Sequence, residues 1–128
     1  MKIFYMMLLL HFIADYTLQG CLANLKQKRW WITECEKHGV DLKKYKDDYI
    51  CGLVCHSMYW TLLTFSPLLW LCENQITCAG IIVINTAIHS VIDDLKANKL
   101  KINLIEDQFF HVAQIIVTCG VVYGVFGF

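Results

Sequence analysis

The stretch MKIFYMMLLLHFIADYTLQG, residues 1–20, decides how this chain is read. It is apolar over a length near the ~20 residues that a helix needs to cross ~30 Å of hydrocarbon. Yet His11 and Asp15 lie inside it, four residues apart and therefore on one helix face. A charged residue at a bilayer centre costs at least ~2.5–3.5 kcal/mol, so such residues face a bundle interior and find a partner there. The same pair, with the lack of a small-x-small cleavage site, argues against a cleavable signal peptide.

Working outward, further apolar runs follow at about 49–72, 75–95 and 104–126, beside the first at about 3–23. The 128 residues are 57% hydrophobic with a mean hydropathy of +0.48, too apolar for an ordinary soluble domain of this size. The expectation is an all-α polytopic membrane protein of one domain, a four-transmembrane-helix bundle. A cytoplasmic loop or short helix over about 24–48 joins helices 1 and 2.

Of eleven Lys and Arg residues, seven fall in that first connection (Lys26, Lys28, Arg29, Lys37, Lys43, Lys44, Lys46) and three at the third (Lys96, Lys99, Lys101). Positive charge stays on the cytoplasmic side, which predicts both termini outside, in a bacterial inner membrane. Trp30, Trp31 and Trp70 suit the interfacial aromatic belts. Zero formal net charge gives no basic surface for nucleic acid. The partners expected are the lipid bilayer, an amphiphilic substrate and, as an open alternative, further copies of the chain.

His11-x3-Asp15 has two counterparts, His89-x3-Asp93 and Asp107-x3-His111. Helices 1 and 3 run from outside to inside and read His then Asp, whereas helix 4 runs the other way and reads Asp then His. All three therefore set Asp nearer the cytoplasm and His about 6 Å deeper. That reversal is what one shared site requires. His56 on helix 2 falls at a similar depth.

Neutral imidazole and carboxylate oxygen together suit a divalent metal, zinc foremost, with manganese or iron as alternatives. The candidate ligands are His11, Asp15, His56, His89, Asp93, Asp107 and His111, enough for one or two ions. Gln19, Lys26, Lys96 and Gln108 lie around the set. Asp15, Asp93 and Asp107 are candidate acid/base groups, and Gln19, Gln108 and Lys96 are candidates to position substrate or water. Lys96 can hold a phosphate or snorkel to the interface, and Asp94 replaces Asp93 if the helix is rotated.

Three minor signals complete the reading. Thr33–Glu36, TECE, matches a capping box, and Gly120-x3-Gly124 fits close helix packing. Seven scattered cysteines read mostly as packing residues, with Cys72 and Cys78 near enough in sequence for a disulfide and Cys51-x3-Cys55-His56 as a possible ligand cluster.

The motifs HxxxDxxxQ, HxxxDxxK and DQxxH, carried by His11, Asp15, Gln19, His89, Asp93, Lys96, Asp107, Gln108 and His111, resemble those of the DUF3307 family of small bacterial and phage membrane proteins. The resemblance covers most of the chain except the polar loop. It implies a shared polar site in a membrane protein and names no reaction. From the residues, the first functional expectation is a membrane-embedded metal-dependent hydrolase acting on a lipid phosphate, phospholipid or membrane peptide. The alternatives are a metal-ion or proton transporter and a noncatalytic membrane partner protein.

Overall fold

The protein is all-helical in a computed structural model that describes residues 2–126. Helix α1 (Lys2–Phe12) continues into a π-helical turn (Ile13–Thr17), followed by three short helices, α2 (Leu22–Leu25), α3 (Lys28–His38) and α4 (Leu42–Tyr45). Three long helices complete the chain: α5 (Asp48–Leu71), α6 (Gln75–Ala97) and α7 (Leu104–Phe126). α5 packs on both α1 and α6, α6 packs on α7, and α7 returns to α1, so four elements close a ring.

The first helical run ends before the expected residue 23. The Leu18 N–H closes onto the Ile13 carbonyl at 3.0 Å, the π spacing, and Gly20 at φ +52° turns the chain in a conformation that only glycine adopts cheaply. The connection that follows is three short helices rather than an open loop. Gly39 at φ +63° ends α3, with the Val40 N–H on the Cys35 carbonyl at 2.9 Å. Thr33 does not cap a helix. It lies inside α3, and its hydroxyl donates to the Arg29 carbonyl at 3.2 Å.

The long helices carry their own start signals. The Asn74 side chain accepts from the Ile76 and Thr77 N–H groups at 2.9 and 3.2 Å at the head of α6. At the head of α7, Asn103 Oδ1 accepts from the Ile105 and Glu106 N–H groups at 2.9 and 3.0 Å, while Glu106 reaches back to the Asn103 N–H at 2.8 Å. Pro67 within α5 removes a donor, and the Ser66 hydroxyl bonds the Leu63 carbonyl at 2.8 Å in its place.

Two helices, α6 and α7, are long and apolar enough to cross a membrane. α5 has the length, with 24 residues, and carries His56, Ser57, Thr61 and Thr64 along it. All four are buried. Among the described residues, buried polar or charged side chains outnumber buried apolar ones by 13 to 12, while Leu9, Val54, Val83, Val117 and many other large apolar residues are exposed. So large a share of buried polar side chains is unusual for a soluble protein.

One close helix contact falls at a glycine that no sequence motif marks. A Cβ on Gly52 of α5 would lie 2.4 Å from the Leu25 carbonyl oxygen, so α2 rests directly on the α5 backbone. Gly120 and Gly124, expected at a helix contact, have nothing within 4 Å of a built Cβ. Their face is open among the described residues.

Candidate metal centre

One end of the ring collects the polar residues. Two sets of three have ligand atoms within 4.8 Å of one another: His56, His89 and Asp93, and Asp15, Asp107 and His111. α5 supplies His56, α6 supplies His89 and Asp93, α7 supplies Asp107 and His111, and the π-helical turn supplies Asp15. All six are buried.

Asp93 joins the two sets. Its Oδ2 lies 3.1 Å from His56 Nε2 and 3.7 Å from His89 Nε2, and the two imidazole nitrogens are 3.4 Å apart. Its Oδ1 lies 3.5 Å from His111 Nε2, which is 3.4 Å from Asp107 Oδ1. Bonds of ~2.0–2.2 Å around a tetrahedral ion put ligand atoms about 3.3–3.5 Å apart. His56, His89 and Asp93, with atoms 3.1–3.7 Å apart, and the His111–Asp107 pair at 3.4 Å have the spacing of a ligand shell, and Asp15 lies within 4.8 Å of that pair.

Hydrogen bonding separates them. Among the described residues His111 Nδ1 has no partner, and His111 Nε2 and Asp107 Oδ1, 3.4 Å apart, are buried without a well-formed hydrogen bond. An unsatisfied buried polar group costs about 1–3 kcal/mol, which a bond to a cation at His111 Nε2 and Asp107 Oδ1 would remove. In the other set, the Lys26 ammonium donates to Asp93 Oδ2 at 2.7 Å and lies 3.1 Å from His56 Nε2.

His11, expected among the ligands, belongs to neither set. The Trp60 indole Nε1–H donates to His11 Nδ1 at 2.9 Å, and an indole nitrogen can only donate. The His11 proton is thereby placed on Nε2, which donates to Gln108 Oε1 at 3.1 Å. The Gln108 amide in turn donates to Asp15 Oδ2 at 2.7 Å and Asp107 Oδ2 at 3.1 Å. His11 thus fixes, through Gln108, how two carboxylates face the site.

Lys96 donates to the same Asp107 Oδ2 at 2.6 Å, and Gln19 donates to Asp15 Oδ1 at 3.4 Å. Asp94 turns outward, bonded to Asn98 at 2.9 Å and paired with exposed Lys99 at 2.8 Å, so it is a rim charge and not a substitute for Asp93. The hydrogen bond to Asp94 raises the Lys99 ammonium above the ordinary lysine value. Cys51 and Cys55 are exposed on α5, whereas His56 is fully buried, so they form no common ligand cluster. Cys72 and Cys78 are free thiols, the latter donating to the Cys72 carbonyl at 3.3 Å.

A cavity of about 370 Å³ opens onto Asp93, lined by Gln19, Lys26 and Lys96 with Ala23, Ala97 and Leu100 between them. The opposite side of the centre is closed by Trp60. Its ring stacks on His89 at 4.1 Å and 21°, and His89 stacks on His111 at 4.2 Å and 23°. The Nδ1 atoms of His56, His89 and His111 have no hydrogen-bond partner, so stacking rather than a bonded carboxylate orients the last two rings. Beyond Trp60 lies an apolar cluster of Met7, Phe65, Leu68, Ile81, Ile115 and Val122.

Sequence reasoning missed Trp60 altogether and left Lys26 among bystanders. Trp60 reads as one more apolar residue of a long run, and Lys26 is hidden by its basic neighbours Lys28 and Arg29. Also missed is a second polar contact between α6 and α7, where Gln114 donates to the Asn85 carbonyl and side chain and Thr118 to Asn85 Oδ1, each at 2.9 Å. No family model matches the sequence, and neither a curated protein nor a solved structure matches it.

Proposed function

We propose that this protein is a membrane-embedded metal-dependent hydrolase acting on an amphiphilic substrate with an anionic head. The observation that carries the reading is the meeting of buried His111 Nε2 and Asp107 Oδ1, without hydrogen bonds, beside Asp93 and Asp15. In this reading all four ring elements sit in the membrane, with both termini outside and the centre in the cytoplasmic-leaflet half. The exposed apolar faces and interior polar groups support that setting, because polar groups in lipid must be satisfied inside the protein. The resemblance to the DUF3307 family agrees with a shared polar site and leaves the reaction open.

A divalent ion, zinc in the first instance, would be held by Asp15, Asp107 and His111 and would supply activation of a water for attack at near-neutral pH. The chain's own groups do the rest. Gln108, held by His11, orients Asp15 and Asp107. Lys26 and Lys96 flank the cavity at Asp93, where their charges attract a phosphate or carboxylate head, and its apolar lining takes the start of a hydrocarbon chain. Trp60 and the apolar cluster behind it keep water from entering on the far side.

That closed end also weighs against transport. A pathway for an ion must continue through the molecule, and here it would meet Met7, Phe65, Leu68 and Ile115, all buried against one another.

The test uses protein in lipid vesicles supplied with zinc, a lipid phosphate monoester and a neutral lipid ester. Hydrolysis of the phosphate substrate, abolished in His111→Ala with helicity retained, is the expected result. Zinc flux across sealed vesicles without hydrolysis of either substrate would replace this reading with transport.

A further inference from the structure

Each half of the centre brings three ligand atoms within 4.8 Å of one another, but the halves differ in charge. In the His56, His89 and Asp93 half, the Lys26 ammonium is within hydrogen-bond reach of two of the three ligand atoms, 2.7 Å from Asp93 Oδ2 and 3.1 Å from His56 Nε2. It occupies the position from which a metal ion would have to displace it. Lys26 is 8% exposed, too buried to be a snorkelling side chain.

The backbone that delivers Lys26 is held from several sides. The Leu25 carbonyl accepts from the Trp31 indole at 2.9 Å and lies against the Cα of Gly52. The Lys26 carbonyl accepts from Asn98 at 3.1 Å, and the Lys26 N–H bonds the Leu22 carbonyl at 3.2 Å. Asn98 also accepts from the Lys28 N–H at 2.8 Å. The ammonium is thus aimed at Asp93 by a fixed turn, with α5 and the end of α6 as walls.

Charge gives an independent argument. Asp15, Asp93 and Asp107 are buried, with the Lys26 ammonium bonded to Asp93 and that of Lys96 to Asp107, which leaves the set one negative charge with neutral imidazoles. One divalent ion carrying a hydroxide brings that total to zero. A second divalent ion beside Lys26 would leave an excess of two positive charges in a site screened from water, where charge is costly, and removal of Lys26 lowers that excess to one.

Resting on the metal reading above, we propose that the centre takes a single divalent ion in the Asp15, Asp107 and His111 half, and that Lys26 serves as the resident cation of the other half. A two-metal geometry is present in the ligands, and one lysine reduces it to a one-metal site. Asp93 then faces the ion through Oδ1 and the ammonium through Oδ2, so Lys26 sets the orientation of a carboxylate beside the metal.

The experiment counts zinc per chain in detergent-purified protein by native mass spectrometry and elemental analysis, after removal of metal and back-titration with zinc alone. One zinc is expected in the natural chain and in His89→Ala, none in His111→Ala, and two in Lys26→Met. Two zinc ions in the natural chain overturn this inference and leave the metal reading standing. No zinc in the folded natural chain overturns both. A count of one in folded Lys26→Met overturns the role given to Lys26. If that variant does not fold, the contrast between His89→Ala and His111→Ala decides, and loss of zinc in the first with retention in the second overturns the placement.

Discussion

The end of the bundle around Asp93 and the end around Phe65 are buried to similar depth by opposite chemistry. Around Asp93 lie three carboxylates, two ammoniums and four imidazoles, and around Phe65 lie Met7, Leu68, Ile81, Ile115 and Val122. Buried ion pairs contribute little net stability, because desolvation offsets their attraction. Close apolar packing contributes dispersion that lipid does not fully replace. Stability and site chemistry therefore occupy different ends of the same four elements, with Trp60 as the layer between them.

The largest effect that would break this division is Phe65→Ala, which removes a fully buried ring from the apolar end. A loss of about 3 kcal/mol is expected, the low end for such a truncation because lipid, unlike water, solvates the freed groups well. Unfolding in mixed detergent measures it, and zinc binding by the fraction that stays folded should be unchanged. A smaller loss than that of a polar-end variant would mean that the Asp93 end holds the bundle together.

Gly52→Ala comes next, because it strikes the joint through which the polar connection reaches the site. Its Cβ would meet the Leu25 carbonyl at 2.4 Å, so α2 must move. A cost of about 2 kcal/mol is expected, in the range for overpacking. Since Leu25 precedes Lys26, the same shift withdraws the ammonium from Asp93. Zinc titration of this variant should therefore differ from that of the natural chain, whereas unchanged binding would show that Lys26 reaches Asp93 without that contact.

The division was half legible in the sequence. Three His/Asp pairs, one reversed, suffice to predict that Asp15, His89, Asp93, Asp107 and His111 converge, because helix periodicity and alternating direction are properties of sequence order. His56 could be added from depth alone. Periodicity could not show that the run after Phe12 takes a π turn, nor that Gly20 ends it, since a single extra residue per turn leaves no compositional trace. The roles of His11 and Lys26 were hidden for a different reason. His11 has the spacing of a ligand, but Trp60, on another helix, takes its Nδ1. Lys26 lies in a run of charges that looks solvated, and contacts with Gly52 and Asn98, far along the chain, bring it inside.

Gln108→Leu sharpens the comparison from the polar side. It leaves the His11 Nε2–H without an acceptor and removes a donor from Asp15 and Asp107. The expected cost in stability is about 1–2 kcal/mol, less than for Phe65→Ala. Zinc affinity should fall about 10–100-fold, as when a group that orients metal ligands is lost. Full affinity in this variant would mean that Asp15 and Asp107 are positioned without the relay from Trp60 through His11.

The smallest effect is expected at Gly120, on the apolar half of α7, and its sign carries the information. Nothing lies within 4 Å of a Cβ built there, and the position is regular helix, so Gly120→Ala adds a methyl group without a clash. Alanine exceeds glycine in helix propensity, and a gain of about 0.5–1 kcal/mol follows if lipid alone covers this face. Gly120-x3-Gly124 is nevertheless the spacing that lets two membrane helices approach closely, and a second copy is the one neighbour that would make the methyl group harmful. Unfolding at two protein-to-detergent ratios separates the cases. A concentration-independent gain keeps the apolar end as a single-chain core facing lipid, whereas a loss that shrinks with dilution makes that end an interface and moves part of its stability outside the chain.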